Sequence, residues 1–272
     1  MTAGTAPREL AAELLAAYDA AALIPLISAR DATFSMADAF AVADHARSAR
    51  LARGERPLGY KIGFTNRSIW PIYGVHEPIW GPVWSTTTRV LDGAAATTSL
   101  AGLSLPRLEP EIAFGFAATP RAGMDAAELA GCLEWVAHSF EIVHTHFEGW
   151  RFKAPDTVAD FALHGRLFIG PRVPVTRFDE LGPDLAALQV ELRRDGESVD
   201  RGEGRVVLDG PLTALRLWVD AMAALPQRWP IAPGDVVTTG TITDAWPMLP
   251  GQVWETRLSD ARLSGLRLQV EA

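Results

Sequence analysis

The chain has 272 residues with 48% hydrophobic and 21% charged side chains, and a formal net charge of -8. That composition is enough to bury a full core as one large domain, or as one domain with a small appendage, and it argues against disorder. The acidic balance, with a pI near 5.3, argues against a nucleic-acid or anionic-membrane surface, which needs a concentrated basic face.

A single cysteine, Cys132, cannot form an intrachain disulfide and suits a reducing cytoplasm. Its apolar, helix-like surroundings suggest packing rather than nucleophilic chemistry. The N-terminus has no basic leader, and Glu13 and Asp19 interrupt the alanine-rich stretch before it reaches spanning length, so a cytoplasmic protein without a membrane partner is expected.

Leu10, Leu14, Leu15 and Tyr18 recur at helical spacing behind Pro7, a residue suited to a first turn. Ser35 and Asp38 resemble a capping box that opens a second helix running through Phe40, Ala43 and Ala46 towards Gly54. Residues 1–56 are therefore expected to form a helical part, and residues 57–272 a separate main domain. After Pro57 the texture changes to short β-like runs broken by glycine and proline. In the first, Gly59 to Thr65, Lys61 sits between two glycines that permit close approach of backbone or ligand. Such a lysine either snorkels to the surface or serves as a functional ammonium. The stretch Trp70 to Pro82 reads as a loop, too rich in aromatic residues for a simple linker and able to cover a pocket.

Next comes Pro106 to Phe116, apolar and β-compatible from Ile112 onward, in which Glu109 and Glu111 project from one strand face. Two such acids are either a solvated strand edge or a pair that needs a cation, because mutual repulsion and desolvation otherwise raise at least one pKa. Asp125 and Glu128 predict a helix carrying Leu129, Leu133 and Val136 on one face. Phe140 to His146 then reads as a strand, with Glu141 the third acid in apolar surroundings. Three strand carboxylates suit Mg2+ or Mn2+; His144 and His146 keep zinc open. Lys153, Asp156, Asp160 and His164 are either pocket lining or solvated loop. Leu188 to Leu192 and Val206 to Leu208 predict strands, with Arg193 to Glu197 as a hairpin turn. A helix follows Pro211, with Leu212, Leu215, Val219 and Met222 inward. Pro233-Gly234-Asp235 turns into a strand from Val236 to Thr241, and Leu266, Leu268 and Val270 alternate in a last strand.

Taken in order, Gly59-Tyr60-Lys61-Ile62-Gly63, Gly74-Val75, Glu109-Pro110-Glu111-Ile112-Ala113-Phe114, Glu141-Ile142-Val143, Asp156 to Asp160 and Gly234 to Thr241 resemble the 2-keto-4-pentenoate hydratase and 4-oxalocrotonate decarboxylase family, within the fumarylacetoacetate hydrolase superfamily. The motifs span nearly the whole chain from residue 57. The resemblance implies an α+β fold, a mixed β-roll core behind a short N-terminal helical part, and usually a homo-oligomer. It places Glu109, Glu111 and Glu141 on the family's metal-binding carboxylates and Lys61 on its active-site lysine, with Thr241 as a substrate contact. The implied substrates are short 2-oxo or 2-hydroxydienoic acids from aromatic-ring degradation.

Departures limit what carries over. Where the family's hydratases usually have an acid after the loop proline, this chain has Ile79, as the decarboxylases often do, and Glu77 is out of phase. His144-Thr145-His146 and Phe161 to Gly165 replace the family's usual segments. Hydration of 2-hydroxypenta-2,4-dienoate is the leading expectation, with Glu77, His144 or His164 as the base that positions water. Decarboxylation of 2-oxo-3-hexenedioate follows, with Ile79 and Arg67 at the substrate's far end. Hydrolysis of an acylpyruvate ranks lower, for want of a His-x-x-Glu pair in the N-terminal helices, and a non-catalytic binding member is the remaining reading.

Overall fold

The structure, a computed structural model, describes residues 6–225 and 229–272. Residues 1–5 of the expected helical part lie outside the described residues. Helix α1 (Pro7–Ala20) has its proline at the first turn, ends on left-handed Ala21, and buries Leu10, Leu14 and Leu15. After the single turn α2 (Ile27–Arg30) comes α3 (Met36–Ala52). Its cap is reciprocal: the Asp38 amide donates to the Ser35 hydroxyl at 3.3 Å and the Ser35 amide to the Asp38 carboxylate at 2.9 Å.

The β-rich part begins with β1 (Pro57–Gly63). The expected loop from Trp70 to Pro82 is instead the short helix α4 (Trp70–Tyr73), a connection, and the start of β2 (Ile79–Trp84). Strands β3 (Thr88–Val90), β4 (Ala95–Thr98) and β5 (Arg107–Phe116) follow. The capping box at Asp125 and Glu128 opens only α5 (Ala126–Ala130), because Leu133 and Val136 already belong to β6 (Leu133–Val143). Beyond β6 lie α6 (Ala154–Ala159), β7 (His164–Ile169), β8 (Val173–Pro174) and α7 (Leu181–Ala187). The predicted hairpin pairs β9 (Gln189–Arg194) with β10 (Glu197–Glu203) across Asp195 and Gly196. Val206 to Leu208 is no strand of that hairpin; it continues a 3-10 turn over Gly204–Val206. Helix α8 (Pro211–Ala224) buries Leu212, Leu215, Val219 and Met222, as its spacing predicts. The chain closes through β11 (Val236–Thr238), β12 (Trp246–Pro247), β13 (Val253–Leu258) and β14 (Arg267–Val270).

Two mixed sheets result, giving an α+β fold. The larger runs β2-β1-β11-β5-β6-β7-β3, with β12 also on β5 and β8 on β6; the smaller runs β10-β9-β13-β14-β4. β1 with β11, β3 with β7 and β14 with β4 are parallel, and the remaining pairs are antiparallel. One face of the larger sheet packs Ile112, Phe114 and Val136 against α8 and its neighbours. Leu108, Phe140, Ile142 and Phe168 meet Trp254, Leu266 and Leu268 of the smaller sheet. The N-terminal helices cover the segment from Val143 to Leu163. They are pinned there by the Ile24 amide on the His146 carbonyl at 2.8 Å and by Ser28, whose hydroxyl and amide both donate to Asp156.

The opposite face of β5 and β6 carries the chemistry. Alternation places Glu109, Glu111, Ala113 and Gly115 on one side of β5, and the register sets Glu141, Ser139, Ala137 and Trp135 beside them. Small residues occupy the middle of this face, and a side chain at Gly115 would meet Trp135 at 2.1 Å. The acids therefore stand at one end of a narrow, curled trough.

Candidate active site and metal centre

Glu109 and Glu111 flank Pro110 on β5, and Glu141 stands on β6 directly opposite Glu109. Residues two apart, and residues paired across a ladder, share a face. One oxygen from each of the three carboxylates therefore lies within 4.8 Å of the others. Pro110 has no N–H to lose, and its carbonyl accepts from the Ile242 amide at 2.9 Å where the chain leaves β11. That departure aims the Gly240 amide at Glu111 Oε2, 3.1 Å away. Gly240 has φ +94°, and a Cβ there would lie 2.0 Å from Thr65 Oγ1, so only glycine fits.

Lys61 is buried on β1, its Nζ 3.3 Å from Glu141 Oε2 and donating to the Ala162 carbonyl at 3.1 Å. The acceptor owes its position to unusual backbone: Phe161, Ala162 and Leu163 have φ of 56°, 52° and 64°. Non-glycine residues in this region cost about 1–3 kcal/mol each and persist where the surroundings hold them, as at functional sites. Here the three left-handed residues turn a carbonyl towards the ammonium.

Behind Glu141 stands His164, with Nδ1 2.8 Å from Glu141 Oε1 and Nε2 2.8 Å from the Thr87 hydroxyl. Burial holds its pKa below the ordinary histidine value. A neutral ring that donates from Nδ1 to the carboxylate and accepts at Nε2 from the hydroxyl fits both contacts and the lowered pKa.

Three carboxylates against one ammonium leave the cluster two negative charges in excess when all are ionised. Burial, then Glu141 and Glu109, push the Glu111 pKa well above the ordinary value, and burial raises that of Glu109 to about 7. For Glu141, burial is outweighed by Lys61 and His164, and its pKa falls. For Lys61, burial is outweighed by Glu141, Glu109 and Glu111, and the ammonium is favoured. Glu111 Oε1 and Glu141 Oε2 are buried and make no hydrogen bond. An orphaned oxygen on Glu111, a Glu141 oxygen whose one partner is the Lys61 ammonium at 3.3 Å, a third carboxylate and a deficit of two positive charges fit one divalent cation of the magnesium or manganese kind. Zinc draws no support, because neither His144 nor His146 joins this cluster among the described residues.

The cluster opens into a cavity of about 280 Å3 lined by Lys61, Glu109, Ile79 and Thr241, and also by Arg107 and several aromatic side chains. Arg107 lies two residues before Glu109 on the same strand face. That spacing was readable in the sequence but singled out nothing by itself. Arg67, nominated for the substrate's far end, does not line the cavity; it is exposed and pairs with Asp209 at 3.0 Å. Glu77 is exposed in the connection after α4 and lines no part of it. His144 and His146 lie instead at the seam with α1, packed on each other and on Tyr18, with His146 paired to Asp160. His164 lines no part of the cavity and is held on Glu141. Of the polar side chains left open by the sequence, Asp156 and Asp160 are buried structural acceptors and Lys153 is exposed.

Among curated proteins, 2-keto-4-pentenoate hydratase 1 of Dechloromonas aromatica is 35% identical over 237 residues, 86% of either chain. The 2-hydroxyhexa-2,4-dienoate hydratase of Comamonas testosteroni is 32% identical over 206 residues, 75% of either chain. The chain belongs to the 2-keto-4-pentenoate hydratase family. No family model matches it. Among solved structures, 4-oxalocrotonate decarboxylase from Pseudomonas putida G7, complexed with magnesium and adipate, superposes on this hydratase-family chain with a TM-score of 0.88. Its identity is 25%, with 97% of each chain covered. Fumarylpyruvate hydrolase from Pseudomonas aeruginosa, in complex with Mn2+ and pyruvate, shares the fold at a TM-score of 0.59 and 13% identity, over 79% of this chain and 89% of that one. Those relatives extend the sequence resemblance to fold and family alike, and both solved neighbours hold a divalent metal.

Proposed function

We propose that the protein is a divalent-metal-dependent lyase that adds water to 2-hydroxypenta-2,4-dienoate or a close analogue. One observation carries the reading: Glu109, Glu111 and Glu141 converge beside the Lys61 ammonium at the end of a cavity fit for a small acid. Bound there by the three glutamates, magnesium or manganese supplies Lewis-acid stabilisation of the negative charge that forms on the substrate's 2-oxygen.

The chain's own residues do the rest. Lys61, held protonated by its acidic neighbours, places a second positive charge beside the same oxygen and stands ready to exchange a proton there. His164 fixes the Glu141 carboxylate from behind, and the Gly240 amide fixes Glu111. Thr241 lies at the cavity wall as a substrate contact, and Ile79 closes one side with an aliphatic surface. Hydration places hydroxide on C4 and protons on carbon, so it also needs an acid or base at the far end. Glu77, His144 and His164 line no part of the cavity, whereas Tyr73 does and carries a hydroxyl group.

Incubation of 2-hydroxypenta-2,4-dienoate with enzyme and magnesium is expected to remove the dienol absorbance faster than ketonisation and to yield a 4-hydroxy-2-oxo acid. Ketonisation alone would sink hydration of this substrate. Decarboxylation of 2-oxo-3-hexenedioate is the second reading, favoured by the likeness to the adipate-bound decarboxylase and by Ile79 in the cavity wall; release of carbon dioxide separates the two. The same proposal places a homo-oligomer in the cytoplasm. The free, buried Cys132 is compatible with a reducing compartment, and light scattering on the purified protein tests the assembly. Among the described residues, no helix is long and apolar enough to cross a membrane.

A further inference from the structure

The cavity has a second wall that the carboxylate chemistry does not use. Tyr73 and Phe152 stack with centroids 5.1 Å apart and planes 18° from parallel. Phe64 meets Tyr73 at 5.5 Å, and Trp150 meets Phe152 at 6.0 Å. All four line the same cavity as Lys61 and Glu109. Two of them are held in costly backbone conformations, Phe64 at φ 55° and Trp150 at φ 57°. Bulky residues rarely adopt the left-handed region, and where they do the geometry serves something beyond chain reversal. At the rim, Ile72 leaves 74% of its surface exposed, an aliphatic group that gains by covering an apolar ligand.

Charge points the same way. The acids, Lys61 and a divalent cation sum to zero, and Arg107, its guanidinium 4.2 Å from the Trp150 ring centroid, adds one positive charge. Among the described residues no acid forms an ion pair with Arg107. Asp244, exposed in the same lining, offsets that charge, so the lining has no net positive charge left to hold a second carboxylate. Resting on the lyase reading above, we infer that Phe64, Tyr73, Trp150 and Phe152 form a tail subsite. The preferred substrates are then monocarboxylic 2-hydroxydienoates, or their 2-oxo forms, whose distal end carries an aromatic ring or a comparably bulky apolar group, larger than a methyl, rather than a second carboxylate.

Calorimetry on the magnesium-loaded protein with 2-oxo acids that lack the diene tests this apart from turnover. The expected result is that 2-oxo-4-phenylbutanoate binds at least about tenfold more tightly than pyruvate, since a single methylene in an apolar pocket is already worth roughly 10-fold or more. Phe152→Leu should shrink that ratio. Tyr73→Ser, at a half-exposed position, repeats the measurement if the first variant loses its fold. Equal affinities would overturn the inference, as would tighter binding of 2-oxoadipate, which would give Arg107 a distal carboxylate instead. Should the preference hold while no dienoate is turned over, the lyase reading fails and the tail subsite stands.

Discussion

The two ends of the cavity are built from different kinds of chain. Lys61, Glu109, Glu111 and Glu141 stand on strands of one sheet, whereas Phe64, Tyr73, Trp150 and Phe152 stand on the turns and short helices between strands. Strand positions are fixed on both sides by ladder hydrogen bonds and hold charged groups to a fraction of an ångström; connections tolerate change in length and side chain. The contrast teaches that the reaction is set by the sheet and the choice of substrate by its connections. Each end should answer to different measurements.

The largest effects belong to the carboxylate end. Removing divalent metal with EDTA, or replacing Glu111 by alanine, is expected to reduce dienoate turnover to the spontaneous rate; turnover that persists in EDTA would break the comparison at its root. Lys61→Ala should lower kcat by about 10²–10⁴-fold, the usual range for a general acid or base, with a smaller effect on KM. His164→Gln acts through Glu141, and a lost hydrogen bond behind a ligand typically costs about 10–100-fold in metal affinity. Magnesium titration by calorimetry reads that loss directly, and an unchanged Kd would leave His164 a mere packing residue.

Smaller, and specific to pH, is an effect on stability. In the metal-free protein burial raises the Glu109 pKa to about 7, above its unfolded value. A group shifted upward contributes stability that is complete below the unfolded pKa and lost as pH rises through the folded one. The melting temperature in EDTA should therefore fall as pH rises through about 7, while the increase produced by magnesium grows over the same interval. A metal-free protein equally stable on both sides of that range would contradict the buried, repelling cluster. The smallest effect is assigned to Arg67. Its exposed pair with Asp209 makes Arg67→Ala worth less than about 1 kcal/mol by denaturant unfolding, with KM unaltered. A changed KM would bring that side chain back to the substrate.

The same division explains what could be read without coordinates. Glu109, Glu111, Glu141 and Lys61 were legible because acids and an ammonium inside apolar β-runs break the pattern around them. The caps at Ser35 and Asp125 were legible because their signals are local. Leu129, Leu133 and Val136 fit a helical period, yet β6 is buried on both faces and so lacks the alternation that marks a strand. Arg67 and Arg107 differ only in what the fold brings to them, an exposed aspartate for one and an aromatic ring for the other. The stacked wall is assembled from residues 64, 73, 150 and 152, and no local periodicity announces it. His164 shows the limit most plainly. A histidine in a family-divergent segment reads as a candidate base until the fold ties it to Glu141 and leaves it out of the cavity lining.

Glu109 faces Glu141 as a direct cross-strand partner in the central β5–β6 pair. Like charges so placed resist the zipping of two strands, and a group that binds only the assembled pair adds its binding energy to folding. During refolding, then, this ladder should close late or slowly in chelator and readily in magnesium. The ion that serves turnover would also act as a template for the nascent chain, and a cell short of it would lose enzyme as well as activity.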